Sequence, residues 1–249
     1  MNTYTKKRID EIVNENYVHA SVLYHFGIKF YDYHEKTLEQ VCQERGLNVA
    51  QVISSLESVN TKDEKHDLAL FSYPVDIIIE YLKHTHYVFI KERLPYLAKL
   101  IEHLPEIPSK NVASDLKFVF PLFVEDLIHH IYEEEDTLFT YVLSLNQALL
   151  SIYKPTQLYI DMECYSIQSL AIGHDIDDDE MRGIRTITND YSLDAINNNL
   201  HLRVVYAELQ RFEKELCTHA RIENEILFPK ALMLEKEVKR MLKGKTKFN

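Results

Sequence analysis

Two ten-residue segments, HIYEEEDTLF (130–139) and HARIENEILF (219–228), share the pattern H-x-x-x-E-x-x-x-L-F. Residues four apart on an α-helix lie on one face, a turn apart. Each segment therefore turns an imidazole and a carboxylate the same way, with a Leu-Phe pair beyond them to bury that face. Register selects the residues. His219 lies nine before Phe228 as His130 lies nine before Phe139, so His130 and Glu134 match His219 and Glu223. His129, Glu133 and Glu135 are left to solvent or to positions just outside such a site.

The sequence around the repeat is also helical. Only 5 Gly and 7 Pro in 249 residues are too few for the many tight turns of a β-sandwich or barrel. From Pro74, residues Ile79, Leu82, His86, Phe89, Ile90 and Leu97 fall on one helical face. LPEIPSKNVAS (104–114) reads as a loop. Further helices are predicted over about 114–147, 155–183 and 193–238. His174 follows Ile167 and Leu170 at core spacing. The fold class expected is all-α: an up-down four-helix bundle over 74–240. A small helical domain over 1–60 precedes it, joined by a charged linker (61–73), and a basic tail (241–249) follows. In that first domain Thr37 is placed to cap a helix that Gly46 stops.

Each of the four bundle helices thus carries an inward histidine, and two carry an inward glutamate. Burying so many polar groups costs several kcal/mol unless they are paired or bind metal. Imidazoles with carboxylates able to bridge suit iron, manganese or zinc. The ferritin-like pattern is Glu-x-x-His; here the order is reversed and the spacing is four, which disfavours that chemistry.

The net charge of −11 disfavours nucleic acid or an anionic membrane as a main partner. Cys42, Cys164 and Cys217 form no disulfide or CxxC pattern and are expected to pack as small apolar residues in a reducing cytoplasm. The opening residues hold no signal-peptide core, and the apolar stretch 118–124 is too short to span a bilayer.

These motifs resemble the haemerythrin HHE family, and more narrowly its iron–sulfur cluster repair branch, the regulators of cell morphogenesis and nitric oxide signalling. LIHHIYEEEDTLF and CTHARIENEILFPKAL resemble the bundle. ASVLYHFGIKFYDYHEKTLEQVCQERGLNVAQVISSLE resembles the short N-terminal domain. The resemblance implies a pair of non-haem irons bridged by Glu134 and Glu223, with His130, His174 and His219 as terminal ligands. It implies iron–sulfur proteins as clients, NO or O2 as small partners, and a function in cluster repair by iron donation rather than conventional turnover. A gas-binding sensor or carrier is the alternative. A homodimer is compatible with it. Departures from the family are plain. Tyr31-Asp32 stand where the family has a Cys pair. Aligning KERLPYL with the family's first helix leaves open whether His86, His84 or Tyr87 supplies that helix's ligand. His103 is the only candidate for the family's histidine at the end of that helix.

Overall fold

The computed structural model describes residues 4–33, 35–59, 70–105, 111–150, 155–176, 179–193 and 199–246. The protein is an all-α bundle. Among the described residues there is no strand, only an isolated bridge between Arg8 and Thr37. None of the helices among those residues is long and apolar enough to cross a membrane.

The chain divides into two compact units, each drawn from three segments. One takes Met1–Glu64, Arg93–Phe120 and Gly183–Glu213; the other takes Lys65–Glu92, Pro121–Arg182 and Lys214–Asn249. This partition interleaves the segments, whereas the sequence suggests consecutive domains. Of the linker read over 61–73, residues up to 69 lie outside the described residues.

In the first unit, helices α1 (Ile9–Glu15), α2 (His19–His25), α3 (Leu38–Arg45) and α4 (Val49–Val59) are short. The Thr37 hydroxyl accepts from Gln40 N–H at 3.3 Å, and the Gln40 side chain accepts from Thr37 N–H at 2.9 Å, a reciprocal cap. Gly46 closes α3 with φ at +65°, where a side chain would be strained. Ile9, Ile12, Leu23, Leu38 and Leu56 are fully buried in this unit.

The second unit holds α5 (Val75–Val88), which follows Pro74, and the parts of two helical runs that carry the repeat. Leu138, Phe139, Leu227 and Phe228 join Ile78, Ile79, Leu82, Val142 and Leu145 in one apolar core. The Leu-Phe pairs therefore continue the buried face on which Glu134, His219 and Glu223 stand.

Three long runs are α-helical except for one wide π-helical turn each. Phe89–Arg93 separates α5 from α6 (Leu94–Glu102). Glu135–Phe139 separates α7 (Val112–Glu134) from α8 (Thr140–Leu149). Glu223–Leu227 separates α12 (Leu200–Ile222) from α13 (Phe228–Thr246). The last helix runs through Thr246, into the stretch read as a basic tail.

The single third helix expected over 155–183 is instead broken into α9 (Pro155–Cys164), α10 (Ile167–Ile176) and α11 (Arg182–Thr188). The first break has a tertiary cause. Ile167 N–H donates to Glu235 Oε1 at 3.3 Å, so a carboxylate 68 residues away caps a new helix. The cysteines also differ from expectation, since only Cys42 is buried while Cys164 and Cys217 are exposed.

Candidate metal centre

In the second unit the structure gathers His86, Glu134, His219 and Glu223, all buried, with one ligand atom from each within 4.8 Å of the others. Three helical runs supply them, and each site residue stands in a π-helical turn or within the four residues before one. Such turns recur at functional sites because the extra residue re-aims side chains that a regular helix would misplace.

On the first helix, where the sequence left His86, His84 and Tyr87 as candidates, His86 is 2% exposed and faces inward while Tyr87 is 56% exposed, and the wide turn Phe89–Arg93 follows directly. His84 is exposed.

Both imidazoles turn Nε2 into the group. The two Nε2 atoms lie 3.0 Å apart. His219 Nε2 is 3.0 Å from Glu223 Oε1, and His86 Nε2 is 3.4 Å from Glu134 Oε2. His86 Nδ1 is bonded to Glu135 Oε1 at 2.8 Å. His219 Nδ1 is buried with no hydrogen-bond partner among the described residues. Phe139 stacks on the His86 ring at 5.5 Å and 9°, and Phe89 meets His219 edge-on at 5.7 Å.

Burial works against a charged His86, but hydrogen bonding to Glu134 and its charge, then Glu135, outweigh burial and raise its pKa above 6.5. Two buried imidazoles and two buried carboxylates this close form a donor set that a divalent cation fits. Nitrogen and oxygen donors converge, and the cation would offset the negative charge.

His130 does not join the group. Its side chain is 39% exposed, with Nε2 3.9 Å from Glu180 Oε1. His174 lies on α10, and its side chain is outside the described residues. His129 and Glu133 are 80% and 66% exposed, as solvated positions should be. His103, in the first unit, spends its Nδ1–H on the Lys99 carbonyl at 2.8 Å, a last-turn satisfaction. Tyr31 stacks on it and on His201, each at 5.0 Å. Burial, then the Asp32 charge, push the Tyr31 phenol up to about 12. The sequence reading passed over His201, whose Nε2 is 2.8 Å from the Leu100 carbonyl oxygen.

No family model matches the chain. Over 202 residues it is 25% identical to a probable iron–sulfur cluster repair protein of Haemophilus influenzae, covering 78% of this chain and 82% of the relative. The chain is similar to proteins named for iron–sulfur cluster repair. A second relative, the iron–sulfur cluster repair protein YtfE of Musicola paradisiaca, is 23% identical over 235 residues, 92% of this chain and 97% of its own length. Both matches span most of the chain, so the likeness extends well beyond the repeat.

Proposed function

We propose that this protein holds a pair of non-haem irons and serves the repair of iron–sulfur clusters damaged by nitrosative or oxidative stress, by donating iron. The observation that carries this reading is the buried group His86, Glu134, His219 and Glu223 in a relative of proteins named for cluster repair. Glu134, Glu223, His86 and His219 would hold the irons, with the two carboxylates and the two Nε2 atoms as the donors that face the group. His130, one turn before Glu134, and His174 on α10 complete the set.

When bound, the iron pair supplies open positions for NO or O2 and an ion that can be passed on. The remaining work falls to the protein. The buried carboxylates would hold the cations, and Phe139 and Phe89 pack against the imidazoles and fix their planes. The half-exposed His130 supports a site in which one ion is held less firmly than the other. Iron–sulfur proteins of the cytoplasm are the clients, and the protein acts as a donor rather than as a turnover enzyme. A homodimer is compatible with this function, which requires neither nucleic acid nor membrane.

The test is reactivation of a [4Fe–4S] dehydratase inactivated by NO, using iron-loaded protein. Recovery of the client in step with iron loss is expected, and His219→Ala should abolish it. No recovery, with reversible NO or O2 uptake and no iron loss, overturns donation in favour of a gas-binding carrier or sensor.

A further inference from the structure

The geometry points to Glu135 as the positioning residue of His86, the carboxylate that decides which ring nitrogen faces the metal. This inference rests on the reading of His86 as a ligand. Three consecutive glutamates take three different places. Glu133 is 66% exposed, Glu134 is 4% exposed inside the group, and Glu135 is 28% exposed behind it. Glu134 and Glu135 bracket one imidazole, Glu134 Oε2 at Nε2 (3.4 Å) and Glu135 Oε1 at Nδ1 (2.8 Å).

A neutral imidazole has one N–H, and only the bare nitrogen can bind a metal. Without an acceptor behind the ring, the proton can sit on Nε2, where Glu134 and the Nε2 of His219 at 3.0 Å both attract it. That tautomer blocks the ligand. Glu135 draws the proton to Nδ1 and leaves the Nε2 lone pair facing the group.

The wide turn Glu135–Phe139 holds this arrangement. It carries the acceptor at one end and Phe139, which lies flat on the His86 ring, at the other. The Thr140 hydroxyl donates to the Glu135 carbonyl at 2.9 Å and ties the backbone there. One turn of helix thus fixes both the plane and the tautomer of a histidine on another run.

The experiment compares wild type, Glu135→Ala and Glu135→Gln by chelator competition with Zn(II), and by long-range nitrogen–proton NMR of the metal-free proteins at alkaline pH. Wild type should show His86 protonated on Nδ1. Glu135→Ala should shift the proton to Nε2 and weaken zinc binding by about 10–100-fold. Glu135→Gln keeps an acceptor oxygen of the same reach and should recover part of both. Unchanged zinc affinity in Glu135→Ala, or a wild-type His86 with no proton on Nδ1, overturns the inference. If wild type binds neither zinc nor iron, the proposed function fails instead, and the tautomer comparison still decides the place of Glu135. Should Glu135→Ala not fold, Glu135→Gln must still keep the Nδ1–H tautomer; its loss there overturns the inference.

Discussion

Replacing Tyr141 by phenylalanine is expected to lower stability by about 2 kcal/mol. The Tyr141 hydroxyl donates to Glu235 Oε1 at 2.8 Å, with both residues buried. A hydrogen bond to a charged group contributes about 1.5–3 kcal/mol. The same oxygen accepts Ile167 N–H, and Oε2 accepts the Lys239 ammonium at 2.9 Å. The carboxylate therefore keeps partners in the variant, and the loss stays below the ~3–5 kcal/mol of an orphaned buried charge. In a chain of this size the melting temperature should fall by ~4–8 °C.

The pH dependence has a definite sign. Burial works to raise the Glu235 pKa, but hydrogen bonds from Lys239, Tyr141 and Ile167 prevail and hold it below its ordinary 4.5. A depressed acid contributes stability above its unfolded value, and that contribution is lost as pH falls through the depressed one. Tyr141→Phe should shrink this acid loss, and Glu235→Gln should remove it. Urea unfolding followed by circular dichroism, on wild type, both single variants and the double, reads these terms. In the Glu235→Gln background Tyr141→Phe should cost about half as much, because the charged acceptor is gone. A loss under about 0.5 kcal/mol at neutral pH, or an equal loss in both backgrounds, would refute the reasoning. Functionally, this clamp sets the start of α10, the helix that carries His174.

Phe139→Ala should cost about 3–5 kcal/mol, because a fully buried ring leaves a cavity in the second unit's core. It should also weaken zinc binding, read by the same chelator competition, since the His86 ring loses the face it stacks on. His201 is buried, and burial, with the His103 and Lys117 charges, holds its pKa below 6.5 despite its bond to the Leu100 carbonyl. Its stabilising contribution is full above 6.5 and is lost as pH falls through the depressed value, so His201→Gln should flatten the loss of urea stability on mild acidification.

Glu134, His219 and Glu223 were legible in the sequence because they stand at i, i+4 positions above Leu-Phe pairs, and a buried helical face repeats at that period. Periodicity also placed His86 on the apolar face. A 3.6-residue reading carries no information about a wide turn or about partners distant in sequence. The same limit hid the contact between Glu135 and His86, whose positions 49 residues apart are joined only by packing. The break before Ile167 was illegible for a related reason: its cap, Glu235, is a tertiary partner. His130 shows the width of a helical face: its spacing to Glu134 is ideal, yet it sits at the margin beside Glu180. The ends of the short first-unit helix over Leu38–Arg45 were readable, since Thr37 and Gly46 act locally.

The central claim is most directly tested by the iron content of protein purified without air from iron-replete cells, beside His219→Ala and Glu223→Ala. The account predicts an iron pair per wild-type chain, lost in both variants while their helical content is retained. A wild-type chain that carries no iron, or variants that keep the full pair, would contradict it.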